Sequence, residues 1–195
     1  MASMILSGDT SGTITLSAPS VAGSNTATLP AQTGTLQMLG QGTAVASTSG
    51  TSITFTGIPS WAKRITVMFS GVGVSASSPI QIQIGSGSTA TSGYQSISSY
   101  GGSAGQYQIL TSGFACAWSG MSSADRLYGS MSISQLGSNV WTEQSGFFCQ
   151  ASGNIQSSGS GGSPALAGAL DRVIITTVGG TATFTAGSIN IMYEG

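Results

Sequence analysis

Residues 80–84 read Ile80-Gln81-Ile82-Gln83-Ile84, a strict alternation of apolar and amide side chains. Successive side chains of a β-strand point to opposite faces of the sheet, so this stretch predicts a strand with one apolar face and one amide-polar face. Arg64–Ser70 predicts a longer apolar strand before it. Two such strands joined by a short segment containing Gly, Ser and Pro indicate an antiparallel β protein.

Similar short β patterns recur from residue 51 to the end of the chain, separated by turns rich in Gly, Ser and Pro. They do not alternate with helical patterns, as the strands of a parallel sheet would. The sequence therefore predicts an all-β sandwich or barrel. The further strands are predicted at Ser52–Thr56, Phe114–Trp118, Tyr128–Leu136, Val140–Thr142, Phe147–Ala151, Arg172–Val178 and Ser188–Tyr193.

The N-terminal quarter of the chain differs from the rest. Residues 1–54 contain no aromatic side chain, and their only charge is Asp9. Period-two alternation predicts short strands at Thr13–Leu16 and Ala27–Leu29. Such a segment cannot bury enough apolar surface to offset a backbone entropy of roughly 1–2 kcal/mol per residue. It is either a floppy tail or a stem that packs its sparse aliphatic side chains against other chains. We predict a stem over residues 1–50 and a β-sandwich head over 51–195; the stem-core candidates are Ile14, Leu16, Val21, Leu29 and Leu36.

Composition excludes several classes of function. The chain has no His, two Cys, four Lys and Arg and five Asp and Glu. Histidine is the commonest general base and metal ligand, and two cysteines cannot complete a four-ligand metal site. Four basic residues are too few to neutralise a nucleic-acid backbone or an anionic membrane. We expect no cofactor, no metal, no nucleic acid and no membrane insertion.

The two cysteines bear on the cellular compartment. Met1–Thr10 lacks the basic and apolar regions of a signal peptide, so we expect no secretion pathway. Cysteines outside oxidising compartments usually stay reduced. Cys116 and Cys149 are therefore expected to be buried thiols rather than a disulfide.

The few acidic side chains leave little scope for catalysis. Glycoside hydrolysis needs two suitably separated carboxyl groups. Asp125 and Asp171 are each followed directly by Arg, which favours the ionised form and leaves Glu143 with one partner at best. We predict that the chain is not an enzyme, with an envelope-glycan hydrolase acting through Glu143 as the alternative.

Three stretches are predicted to be long surface loops, where recognition usually occurs. They are Gly85–Gly93, Ser99–Gln106 and Ser152–Ser163. Tyrosines among small polar residues are typical of adaptable binding loops, and sugars suit such a surface because their C–H faces stack on aromatic rings. The predicted receptor-binding residues are Tyr94, Tyr100 and Tyr107.

Several segments resemble the tail-fibre, or receptor-binding fibre, proteins of tailed bacteriophages. Residues 12–16 (GTITL) and 19–36 (PSVAGSNTATLPAQTGTL) are similar to a segment of those fibres. Residues 54–69 (TFTGIPSWAKRITVMF) resemble the start of their terminal domain. The C-terminal segments 170–173 (LDRV) and 186–191 (AGSINI) are similar too.

The resemblance implies a homotrimeric virion fibre, assembled in the bacterial cytoplasm and exposed on the particle. Its N-terminal stem would attach to other tail or capsid proteins. Its C-terminal, jelly-roll-like head would bind a cell-surface polysaccharide or protein of the host. A capsid decoration or head-fibre protein of the same architecture is the alternative within this class.

Overall fold

The computed structural model describes residues 3–18, 20–21, 23–24, 31, 33, 36–100, 107–116, 122–150 and 154–195, with only the backbone of Tyr100 and 154–160. The described residues form strands without helices, so the predicted all-β class is confirmed. No helix in these ranges could cross a membrane. The chain divides into two compact units, Met1–Leu36 and Gln37–Gly195.

The first unit contains one β-hairpin. Its strands are β1 (Ser3–Ser7) and β2 (Thr13–Ser17), which pair antiparallel over five residues each. β2 confirms the strand predicted at Thr13–Leu16, whereas β1 was not predicted. A strand predicted at Ala27–Leu29 lies outside the described residues.

The second unit, which we call the head, is a sandwich whose described residues form fourteen strands. Their bounds are β3 (Leu39–Gln41), β4 (Val45–Ala46), β5 (Ser52–Thr56), β6 (Arg64–Val74), β7 (Ile80–Ser86), β8 (Ser88–Thr89), β9 (Gln95–Tyr100), β10 (Tyr107–Leu110), β11 (Phe114–Ala115), β12 (Leu127–Gly137), β13 (Val140–Cys149), β14 (Asn154–Gly162), β15 (Arg172–Thr177) and β16 (Phe184–Glu194). The head begins at Gln37 rather than at the predicted residue 51 because β3 and β4 both pair with β16.

In the described part of the head all strand pairs are antiparallel, and they form two sheets. The large sheet has the order β10-β9-β14-β13-β12-β6-β16-β3, with β4 also on β16. The small sheet has the order β11-β7-β15-β5, with β8 on β7. Consecutive strands repeatedly change sheet, as at β5 to β6 to β7 and at β10 to β11 to β12.

The core lies between the two sheets. It forms because alternate side chains of each strand point to the same face of its sheet. Along β6, Ile65, Val67 and Phe69 are buried, while the residues between them are more exposed. The ring centroids of Phe69 and Phe147 lie 5.1 Å apart across the large sheet. The small sheet contributes the facing apolar side chains, namely Ile53, Phe55, Ile80, Ile82, Ile84, Val173 and Ile175.

The structure adds one feature to the predicted strand β7 and corrects one predicted loop. The amide face of β7 is covered, because Gln83 donates to Ser112 O and Gln81 accepts from the Ser112 hydroxyl, which buries both glutamines. Ser152–Ser163 was predicted to be a loop, but most of it is β14, which pairs with β13 and β9. Backbone pairing with strands on both sides compensates for side chains of low β-propensity.

The close contact between the neighbouring strands β16 and β6 generates a stability prediction. Gly187 lies at a register shift between these strands with φ of +90°, and an added Cβ would collide with the backbone of Ser70 and Gly71. Gly179 is a matched control because its φ is +83° but an added Cβ would have open space. We expect Gly187→Ala to lower the free energy of unfolding by at least about 2 kcal/mol more than Gly179→Ala, as measured by urea titration. Equal losses would contradict this packing.

Candidate functional site

The hairpin presents an apolar face. In its register Met4 lies opposite Leu16, and Leu6 lies opposite Ile14, so these four side chains share one face. Each of them is at least 49% exposed in the single chain. The opposite face carries mostly hydroxyls, with Ile5 as its one large apolar side chain.

The predicted stem residues therefore have no apolar cover within the described part of this chain. Ile14 and Leu16 lie on the apolar face of the hairpin, and Val21 and Leu36 are also exposed. Leu29 lies outside the described residues. Packing of these side chains against other chains stays a prediction. Met4 and Leu6, which sequence reasoning missed, belong to the same set.

Tyr94 is a core residue, which corrects its assignment to a receptor contact. Its side chain is fully buried and packs edge-on against Phe114, with ring centroids 5.0 Å apart. Its hydroxyl accepts from Ile84 N at 2.9 Å and donates to Ala90 O at 3.0 Å. Burial raises the pKa of Tyr94 to about 12, so the phenol keeps its proton. Tyr94 anchors the segment before it instead of meeting a ligand.

Tyr107 and Tyr100 lie near the edge of the large sheet. Tyr107 begins the edge strand β10, is 62% exposed and pairs with Ser99. Tyr100 follows Ser99 at the end of β9, and its side chain is outside the described part of the structure. The structure thus brings these two positions close together, whereas Tyr94 lies apart in the core.

Two further aromatic side chains lie on the outer face of the large sheet, and sequence reasoning missed both. Tyr128 on β12 and Phe148 on β13 are direct cross-strand partners, 38% and 43% exposed. The Tyr128 hydroxyl donates to Gln150 Oε1 at 3.3 Å. Tyr107 lies on the same face, on β10, which is three strands from β13 and four strands from β12 in the order of the sheet. We call Tyr107, Tyr128 and Phe148 the outer aromatic surface.

Glu143 is a buried carboxyl group on the inner face of β13. It is 3% exposed, and its Oε1 accepts from the Ser96 hydroxyl at 3.1 Å. Gly161 lies between them on β14, where a side chain would approach Glu143 Oε1 to 3.0 Å. The same Ser96 oxygen accepts from Ala115 N at 3.0 Å, which links the large sheet to the small one.

Burial dominates the electrostatics of this carboxyl group. It raises the pKa of Glu143 to about 7, against a smaller lowering by the Ser96 hydrogen bond. Among the described residues, Glu143 Oε2 has no hydrogen-bond partner. The pKa of the Cys116 thiol is raised by its own burial and by the nearby Glu143. Cys116 is therefore protonated, and both cysteines are buried and neither forms a disulfide in the described structure.

Three of the four remaining acidic side chains have structural contacts. Asp125 accepts from Ser122 N at 2.7 Å within a turn, and Asp171 binds Gly87 N and Arg172. Glu194 pairs with Arg64. In the described ranges no group of three metal-ligating side chains could hold a metal ion.

Comparison of the chain with family models, with curated proteins and with solved structures found no match.

The raised pKa of Glu143 generates a pH prediction. Between pH 4.5 and about 7 the folded carboxyl keeps a proton that the unfolded one has lost, so stability falls as pH rises. We expect the free energy of unfolding to drop by about 3 kcal/mol across this window and to level off above it. Glu143→Gln should remove the drop, while Glu194→Gln, a surface control, should retain it. Denaturant titrations from pH 4 to 9 measure this, and an unchanged slope in Glu143→Gln would refute it.

Proposed function

We propose that this chain is a non-enzymatic, homotrimeric fibre protein of a tailed-bacteriophage virion. Its N-terminal segment attaches to tail or capsid proteins, and its head binds a receptor on the host surface, most simply a glycan. The observation that carries this proposal is the exposed apolar face of the hairpin, in a chain whose head has a complete core of its own.

The energetics of the hairpin support assembly with further copies. An isolated two-stranded ribbon is marginally stable in water. Burying one large aliphatic side chain contributes about 1.5–3 kcal/mol, so the four side chains of the apolar face could stabilise a multi-chain stem substantially. No charged side chain occurs from residue 10 to residue 62, so the sequence after the hairpin contains no charge that such packing would have to desolvate.

The head is proposed to be a jelly-roll-like terminal domain. Two antiparallel sheets whose consecutive strands change sides are typical of such sandwiches. In this proposal the outer aromatic surface contacts the receptor. Hydroxyl side chains on neighbouring positions, such as Ser130 and Ser132, could bind sugar hydroxyls beside the rings.

Two other functions remain as alternatives. A capsid decoration protein would use the same architecture with a purely structural head, so receptor binding separates the two. An envelope-glycan hydrolase would act through Glu143. Its burial inside the sandwich and its hydrogen bond to Ser96 disfavour that role, because a polysaccharide cannot reach it in this conformation.

The stem proposal is tested by native mass measurement. We expect the full chain to be a trimer of 19.3 kDa subunits and Leu6→Asp to shift it to monomers, because the new charge lies on the apolar face. Ser7→Asp places the same charge on the opposite face and should leave the trimer intact. A monomeric wild type, or a trimeric Leu6→Asp variant, would contradict the stem.

The receptor proposal is tested by adsorption to host cells. Replacing Tyr107, Tyr128 and Phe148 together with Ala should reduce cell binding by at least about tenfold, because stacked aromatic contacts dominate such surfaces. Leu136→Ala is the control, since Leu136 is a highly exposed apolar side chain at the register shift near the end of β12. Circular dichroism verifies folding, and unchanged adsorption by a folded triple variant would refute this surface.

A further inference from the structure

A cleft of about 350 Å³ lies between two loops of the head. One wall is the segment from the end of β7 through β8 to Ser92, and the other is residues 164–167. This volume is at the lower end of the range for small-ligand sites, roughly 300–1,000 Å³. The first wall coincides with the predicted recognition loop Gly85–Gly93.

The lining of the cleft is uncharged. It contains no ionisable side chain, and the second wall offers the apolar surfaces of Pro164 and Leu166. Five hydroxyl side chains form the polar part of the lining, and none of them hydrogen-bonds another described residue: Ser86, Ser88, Thr89, Thr91 and Ser92. By contrast, the hydroxyls of Ser47, Ser78 and Ser112, elsewhere in the head, donate to protein oxygens.

Hydrogen bonds to other parts of the head hold both walls of the cleft in place. The Tyr94 hydroxyl donates to Ala90 O, and Ala90 N donates to Ile84 O at 3.0 Å. Asp171 accepts from Gly87 N at 2.9 Å, which holds the turn between β7 and β8. Opposite, the buried Leu166 donates its N–H to Asn139 O at 3.1 Å. A preorganised frame lowers the entropy cost of binding.

We propose that this cleft binds an uncharged saccharide unit of the host-surface glycan. The proposal rests on the receptor-binding function proposed for the head and locates a second contact, separate from the outer aromatic surface. Unengaged hydroxyls match the donors and acceptors of sugar hydroxyls, and the Pro164 and Leu166 surfaces match sugar C–H faces. A negatively charged sugar would find no cation in the lining to replace its hydration.

The test titrates the full chain with uncharged trisaccharides, namely maltotriose, cellotriose and tri-N-acetylchitotriose, and with trigalacturonate as the charged probe. Calorimetry and saturation-transfer NMR measure binding, which we expect in the millimolar range for at least one uncharged probe. Thr89→Val and Thr91→Val remove a hydroxyl and keep the side-chain shape, so each should weaken binding by about 3- to 10-fold. Ala167→Trp should block the cleft. Thr181→Val, exposed in the segment after β15, should leave binding unchanged.

The outcomes separate this proposal from the fibre proposal. Three results would each overturn the proposal that the cleft binds an uncharged saccharide. They are no binding of any uncharged probe, a preference for trigalacturonate, and an unchanged affinity in both Val variants. The fibre would still stand if the chain is trimeric and adsorbs to cells. Probe binding that the Val variants weaken, in a chain that does not adsorb to cells, would support the cleft and contradict the fibre's receptor role.

Discussion

The head depends on two sheets closing over one apolar layer, and β6 lies at the centre of that contact. It pairs with β12 on one side and β16 on the other, and its alternate residues Ile65, Val67 and Phe69 enter the layer. The inner face of the large sheet packs in this apolar layer, so the exposed polar and aromatic side chains lie on its outer face. The candidate receptor surfaces therefore lie on the outer face and in the loops, while the inner face contributes stability.

The apolar face of the hairpin also requires a second layer that covers it. Its pattern also places apolar side chains on one face, but no second layer covers them within the described part of the chain. A sheet face of this kind needs a partner to contribute free energy, and in the proposed fibre further copies of the same chain would supply an identical, uncharged face. In the head one chain buries its own apolar sheet faces, whereas in the stem such burial would occur only between chains.

Sequence reasoning succeeded where β-branched apolar residues are dense. Ile80–Ile84 lies within β7, and Arg172–Thr177 of the predicted Arg172–Val178 forms β15; nearly every residue of both strands is buried. It failed where tertiary pairing decides. β14 is rich in Gly and Ser and carries no alternation, so only its position between β13 and β9 makes it a strand. β1 (SMILS) has three consecutive apolar residues, which hide the face that its register with β2 reveals.

The candidate sites show the same division. Tyr94 has polar neighbours in sequence, but Ile84, Ala90 and Phe114 surround it in space. Tyr128 and Phe148 are ordinary strand residues until the register places them opposite each other. Composition predicts a loop at Gly85–Gly93, but the structure places the end of β7 and the short strand β8 within it. Its partner wall at residues 164–167 required the fold.

Amide hydrogen exchange of residues 3–17 in the full chain tests the central claim, that the hairpin is buried by further copies, most directly. An assembled stem predicts slow exchange at the paired amides of β1 and β2, with protection lost when a charge on the apolar face dissociates the chains. Exchange of these amides at the unprotected rate in concentrated wild-type protein, while the head remains protected, would contradict it.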